Sequence, residues 1–271
     1  MLQGTFKHTL LCCLLGASLG VQAKIDEVHF LIPGGAGGGW DNTARGTGEA
    51  LTKSGLITTA SYQNISAGGG AKAIAHLIET SAQSDETLMV NSTPIIVKSL
   101  SKELPQSFRD LTPVAAMTFK NAGADAGKLR YVAYDAGGSA MAAVLAGETQ
   151  VLSTGFGEAM EAVKSGQMRI LGVTAPERMP DASQVPTFSE QGNPTVFANW
   201  RGYFASPGIS PEKSAEFAAL LKQMYDKPEW EAVRARNSWI NQYQSGPEFT
   251  AFLNSQEQQI GGLMRELGFI K

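Results

Sequence analysis

A chain of 271 residues with 43% hydrophobic and 17% charged side chains can bury one large core or two smaller ones, which excludes the disordered and fibrous classes. Its formal charge is −3, from 22 basic and 25 acidic residues with no basic block, so nucleic acid is not expected as a partner.

Residues 1–23 read as a secretory signal peptide. Lys7 and His8 precede the apolar run 9–21, and Val21-Gln22-Ala23 offers a small-residue cleavage site. The run is shorter than the roughly 20 residues a spanning helix needs. Neither Cys12 nor Cys13 follows the small residue of a lipid-anchoring site, and these are the two cysteines of the chain. Export would therefore leave a protein without thiols, which suits an oxidising compartment and excludes disulfide, thiolate-metal and cysteine-nucleophile chemistry. Loss of Lys7 would leave 21 basic against 25 acidic residues and a formal charge of −4.

The run Val28-His29-Phe30-Leu31-Ile32 predicts a buried strand, and Trp40, Ala44, Thr47 and Leu51 predict a helix over 40–54. Between them lies Pro33-Gly34-Gly35-Ala36-Gly37-Gly38-Gly39, with five glycines in positions 34–39. Glycines at a strand-to-helix turn let a ligand approach the free N–H groups of the first helical turn, a place that favours an anion. A flexible turn without a ligand is the plain alternative. The pattern repeats: strand 58–63, glycine loop 64–70, helix 71–80. A third strand at 87–91 leads into Ser92-Thr93-Pro94, a loop and helix start. Three such units predict a parallel α/β sheet with its loops at the carboxyl ends of the strands.

Residues 108–117 read as a turn leading into a strand, and 120–128 as a crossing to a second lobe. The series then resumes with strand 129–134, glycine loop 135–139, helix 140–146, strand 150–154, loop 155–157, helix 158–164 and strand 169–174. Prolines at 176, 180, 186 and 194 mark an irregular connection with one short helix at 187–191. Strand 200–205 follows. Ser210-Pro211-Glu212 starts a helix whose apolar face is Phe217, Leu220, Leu221, Met224 and Tyr225. The last helix begins near Pro247 and carries Phe249, Phe252, Leu253, Gln256, Ile260, Leu263, Met264 and Leu267 on one stripe that packs on the sheet.

Catalytic and metal motifs are sparse. His29 sits within a strand and His76 on a helix, neither with a motif partner, and there is no Gly-x-Ser-x-Gly elbow. Zinc, calcium and P-loop patterns are missing, and Gly68-x-Gly70-x-x-Ala73 meets only the loosest dinucleotide fingerprint. What the chain offers is glycine loops with small hydroxyl and amide side chains, suited to holding carboxylate oxygens through neutral donors. Asp41 complicates an anion site: its carboxylate faces either the helix N–H groups or a ligand hydroxyl or water.

In these motifs the chain resembles the substrate-binding proteins of tripartite tricarboxylate transporters, a bacterial periplasmic family. The resemblance runs from about Glu27 to the C-terminus. It rests on the loop 33–41 with Ala44-Arg45, on 64–70, on Tyr131 to Gly138, on Leu152-Ser153-Thr154-Gly155 and on Asn199-Trp200-Arg201-Gly202. It implies an α/β, two-lobed periplasmic-binding-protein-like fold of type II that closes about a hinge. Lobe 1 would comprise 24–114 plus 203–271, and lobe 2 would comprise 115–202. The resemblance further implies a monomer that captures a small, citrate-like di- or tricarboxylate without a cofactor, metal or catalysis, and delivers it in the periplasm to membrane subunits of the transporter. By motif, Gly37, Gly38, Gly39, Trp40 and Asp41 would form the first ligand loop, Ala67, Gly68 and Gly69 the second, and Ser92 and Thr93 the third. Tyr134, Asp135, Ala136 and Gly137 would supply the opposing lobe. Between Met117 and Lys128 the family carries a longer segment with a further glycine/serine loop. This chain is shorter there by about one βαβ unit, on the order of 30 residues, so the second lobe is expected to be incomplete. Two other readings stay open: a non-binding remnant serving as a sensing or interaction module, and a nucleotide-using enzyme, against which the export signal argues.

Overall fold

A computed structural model describes residues 25–102, 105–119, 132, 134, 137–193, 196–197, 199–266 and 268–271. Strand β1 (Glu27–Ile32) pairs in parallel with β2 (Thr59–Asn64) on one side and β3 (Thr87–Asn91) on the other. Helices α1 (Gly39–Lys53), α2 (Ala71–Glu79) and α3 (Thr93–Ser101) follow β1, β2 and β3 respectively. Here the expected strand, glycine loop, helix repeat holds.

The parallel pairing expected of these three units holds, and the rest of the sheet is antiparallel. Its order is β2-β1-β3-β5-β4-β6, and β5 (Arg201–Ala205) runs antiparallel to both β3 and β4 (Thr112–Phe119). Strand β6 (Ile240–Ser245) is antiparallel to β4. Since β4 points the same way as β1 and β3, the chain leaves the sheet after Phe119 at the edge where the glycine loops emerge. It returns to that same edge at Arg201, the first residue of β5. The intervening chain is thereby hung over the carboxyl ends of the parallel strands.

Alternation along the strands divides the core into two layers. Phe30, Ile32, Leu88, Val90, Tyr203 and Ala205 face α1, α6 (Pro211–Tyr225) and α7 (Pro228–Arg236), packing on Leu51, Phe217, Leu221 and Trp230. Leu31, Met89 and Phe204 face α2, α3 and α8 (Gly246–Glu266), packing on Ile74, Ile96, Phe249 and Leu253. Helix α6 starts as expected: Ser210 Oγ accepts from the Lys213 N–H at 3.1 Å, with Pro211 in the first turn. The last helix buries Phe249, Leu253 and Met264 of its anticipated stripe, but Leu263 is 55% exposed, and Leu267 lies outside the described residues.

Two elements have no counterpart in the sequence reading, α7 and β6. The second body also differs from expectation. Its helices are α4 (Gly137–Leu145) and α5 (Phe156–Lys164), each starting two or three residues earlier than its periodicity suggested. Segments 150–154 and 169–174 are not strands. Only an isolated bridge joins Val173 to Thr187, because neither segment finds a ladder partner among the described residues. Expected strand 129–134 and crossing 120–128 fall almost wholly outside the described residues. The short helix anticipated at 187–191 is a turn. Thr187 Oγ1 accepts from the Glu190 N–H at 3.0 Å and Glu190 Oε2 from the Thr187 N–H at 2.7 Å, but Gly192, at φ +86°, diverts the chain before a helix can propagate. Phe156, Val173, Ala175, Met179, Ala182 and Val185 form this body's own small core.

Candidate functional site

The first glycine loop is closed by its own aspartate. Gly37 adopts φ +76°, a conformation that costs an L-residue energy, and so aims its N–H back at Asp41 Oδ2, 2.9 Å away. The same carboxylate accepts from Arg45 Nε at 3.0 Å and from Asn64 Nδ2 at 3.0 Å, while Asn64 Nδ2 also reaches the Gly34 carbonyl at 2.9 Å. The Asp41 carboxylate turns onto the Gly37 N–H ahead of α1, Arg45 within α1 and Asn64 at the end of β2, and not onto the N–H groups of the helix itself. Burial alone would raise the Asp41 pKa. The hydrogen bonds from Arg45, Gly37 and Asn64 outweigh burial and hold the carboxyl below its ordinary range.

The second and third loops lie against the first. The Trp40 indole N–H donates to Ser92 Oγ at 3.0 Å, and the Ser92 N–H donates to Asn91 Oδ1 at 2.8 Å. In the second loop Gly68, Gly69 and Gly70 all have positive φ. A Cβ at Gly70 would come within 3.2 Å of Pro33 Cβ and 3.9 Å of Trp40 Cη2, so this glycine lets the two loops touch. Ala67 and Gly68 are exposed. Asn91 Nδ2 and Thr93 Oγ1 are buried with no hydrogen bond among the described residues.

Across from these loops stands a cluster that sequence reasoning did not place in the site. Arg201, 8% exposed at the start of β5, donates through Nη1 to Asn199 Oδ1 and to the Trp200 carbonyl, and sets Nη2 3.4 Å from Glu158 Oε1. Glu158, in the first turn of α5, also accepts from Thr154 Oγ1 at 2.6 Å through Oε2. Burial lowers the Arg201 pKa and the Glu158 charge opposes that effect. The carboxylate reaches both bodies: a Cβ on Gly39 would overlap Glu158 Oε1 and Arg201 Nη2, and one on Gly137 would overlap Glu158 Oε2. So Gly39 and Gly137, expected on opposite walls, meet around one side chain. Of the other opposing-lobe residues, Tyr134 is 36% exposed, and Asp135 and Ala136 lie outside the described residues.

The cavity between the two bodies measures about 30 Å³, with Gly39, Asn42, Glu158, Asn199 and Arg201 among its walls. That is the size of a water site. A larger groove, about 470 Å³, lies elsewhere, between α2 and the segment entering β3. His29, Gln63, His76, Asp85 and Glu86 line it, and no glycine-loop residue does. His29 is tied across the sheet to Ser61 Oγ at 2.8 Å and to Gln63 Oε1 at 3.3 Å. Volume favours this groove, but the convergence of loops, helix starts and a buried cation favours the smaller cleft as the site.

One clue to the missed cluster was available, an arginine inside the apolar strand Trp200-Arg201-Gly202-Tyr203-Phe204, since a buried charge requires a partner. The Thr154–Glu158 contact gave no such signal, since Thr154 precedes the N-cap Gly155 and lies off the helix.

A mixed sheet whose antiparallel strands β4 and β5 lead out to a second body, with loops converging at the junction, defines a two-lobed binding-protein fold of the periplasmic type. Solved structures share it. An adipate-bound R. palustris protein aligns at TM-score 0.79 with 14% identity over 89% of this chain and 97% of that one. The periplasmic binding protein BugD aligns at 0.75 with 16% identity over 90% and 98%. Malate-bound MatC from Rhodopseudomonas palustris aligns at 0.72 with 18% identity over 86% and 97%. At such identities the likeness is one of fold. No match was found among curated proteins. The profile of the tripartite tricarboxylate transporter family receptor, TctC, matches residues 120–269, more than half of the sequence, and the chain belongs to that family.

Proposed function

We propose that this receptor captures a small di- or tricarboxylate, citrate-like in size and charge, in the cleft between the glycine loops and Arg201, without chemistry and without a cofactor. The observation that carries the reading is a buried arginine at the start of β5, set against the amino terminus of α1 where Glu158 of the second body meets both. Cationic side chain and helix terminus both favour anions. Residues 24–114 with 203–271 would form one lobe and 115–202 the other. Gly37, Gly38, Gly39, Trp40, Asp41, Ala67, Gly68, Gly69, Ser92, Thr93, Tyr134, Asp135, Ala136 and Gly137 are the proposed binding residues, with Asp41 bracing the loop. Adipate in one neighbour and malate in another support a carboxylate cargo. Family membership supports a periplasmic receptor that hands its cargo to membrane subunits of the transporter; the signal-peptide pattern of residues 1–23 would export it, as a monomer. Among the described residues no helix is long and apolar enough to cross a membrane.

A thermal-shift panel of malate, adipate and citrate, with phosphate for comparison, tests the reading. At about 100 times Kd a cargo stabilises by about 2.7 kcal/mol, or roughly 5–10 °C for a chain of this size. Absence of any carboxylate-dependent shift overturns it. A second reading, an interaction module, draws on the exposure of Leu145, Val151, Leu171 and Val196 in the second body. Specific capture of a protein partner by a chain that is silent in the panel would favour it.

A further inference from the structure

The Glu158 carboxylate is held in a manner unlike an ordinary surface ion pair. Both its oxygens are engaged, Oε2 by Thr154 Oγ1 at 2.6 Å and Oε1 by Arg201 Nη2 at 3.4 Å, and the pair's side chains are only 17% and 10% exposed. Gly39, the first residue of α1, has no room for a Cβ because Glu158 Oε1 and Arg201 Nη2 stand there. Gly137, the first residue of α4, has none because Glu158 Oε2 does. One carboxylate therefore lies between the starts of two helices from opposite sides of the cleft, beside a nine-tenths-buried guanidinium. These surroundings are what a bound carboxylate requires. With Glu158 in position, a cavity of only about 30 Å³ remains beside it.

Resting on the receptor reading, we propose that Glu158 is a specificity-determining residue: the chain's own carboxylate occupies the seat that a cargo carboxylate must take. Capture is then an exchange. The cargo's carboxylate replaces Glu158 on Arg201 and at the two glycine starts, and the Glu158 side chain swings out from the first turn of α5. A monocarboxylate replaces one carboxylate by another of the same kind, so it gains no new contact and still loses its translational freedom. A dicarboxylate brings a second charged group that finds further donors, which tips the exchange in its favour. The tethered competitor lowers the affinity for every cargo by the fraction of molecules whose seat is free, and it screens out small monocarboxylates.

Acetate and adipate probe the two halves of this proposal. In Glu158→Ala the emptied seat takes acetate, so the thermal midpoint falls relative to wild type and is restored by acetate but not by acetamide, while wild type responds to neither. In Glu158→Gln, which keeps the side chain's shape, adipate binds about tenfold tighter than to wild type, as expected when a charged competitor is removed. This second variant decides the matter should the alanine variant fail to fold. Equal adipate affinity in wild type and Glu158→Gln overturns the proposal and leaves the receptor reading standing. Rescue by acetate with no adipate binding in any variant upholds the seat and overturns the receptor reading. An acetate response of equal size in wild type and Glu158→Ala also overturns the proposal.

Discussion

Replacing Gly39 by alanine adds one methyl group where α1, Glu158 and Arg201 converge. The backbone at Gly39 lies outside the left-handed region, so alanine brings no conformational strain; its cost comes from overlap with Glu158 Oε1 and Arg201 Nη2. Arg201 cannot pivot away easily, since it is 8% exposed and tied to Asn199 and the Trp200 carbonyl. The Glu158–Arg201 pair must therefore separate. Disrupting a fully buried pair costs about 3–5 kcal/mol. This pair is longer than ideal and retains some solvent contact, so the lower end, about 3 kcal/mol, is the suitable starting figure. Alanine returns up to about 1 kcal/mol through helix propensity. A net loss of about 2 kcal/mol corresponds to roughly 4–8 °C in thermal midpoint for a chain of this size. Calorimetric unfolding should report it, and hydrogen exchange should quicken across α4 and α5 while β1 and β3 stay protected. Gly37→Ala provides the contrast: its φ of +76° makes alanine costly by about 1–2 kcal/mol, but open space surrounds the new methyl, so exchange in α4 and α5 should not change. A Gly39→Ala protein as stable as wild type, with unchanged exchange in α4 and α5, refutes the close approach of the two bodies at this residue.

Other consequences follow from the loops and helix ends. Asp41→Asn removes the charge that three donors converge on and should cost about 2–3 kcal/mol, within the range of charge-assisted hydrogen bonds. Because the folded carboxyl titrates below its ordinary value, its stabilising effect is complete above the unfolded aspartate pKa and is lost as pH falls through the folded one. The gap between wild type and Asp41→Asn should accordingly close on acidification, as urea titrations at a series of pH values would show. Glu49 joins α1 to α7 through Arg236 and is also paired with Lys53; hydrogen bonds from Arg236 and Lys53 bring its pKa down to about 2. Glu49→Gln should cost below about 1 kcal/mol at neutral pH, as surface pairs do, and that difference too should fade toward pH 2. Ser210→Ala removes the α6 cap and should lower the midpoint by roughly 2–4 °C, from a loss of about 1 kcal/mol in a thermal melt.

The parts of the fold legible in the sequence are those whose burial is periodic. Strands β1, β3 and β5 are buried throughout or nearly so and read as apolar runs, while α1, α6 and α8 carry apolar stripes that face one layer each. Helix α7 buries only Trp230 and Val233 between charged residues, too little for a stripe. Strand β6 is a polar edge, Ile240-Asn241-Gln242-Tyr243-Gln244-Ser245, that exists because β4 offers it a ladder. Reversal of the sheet's second half was illegible for a related reason: strand direction is set by where the chain returns, and residues 120–200 carry it back to the edge it left. In the site, the glycine loops announced themselves through composition. Glu158 did not, because a glutamate in the first turn of a helix is common, and only the fold brings Gly39, Gly137 and Arg201 to it.

The most direct measurement is isothermal titration of adipate and malate into wild-type protein and Arg201→Gln. Saturable, one-to-one binding to wild type is expected, weakened about tenfold or more when the guanidinium is lost, a change of at least about 1.4 kcal/mol. No heat with either dicarboxylate, or equal affinity in the two proteins while both remain folded, would contradict the assignment of this cleft as a carboxylate site.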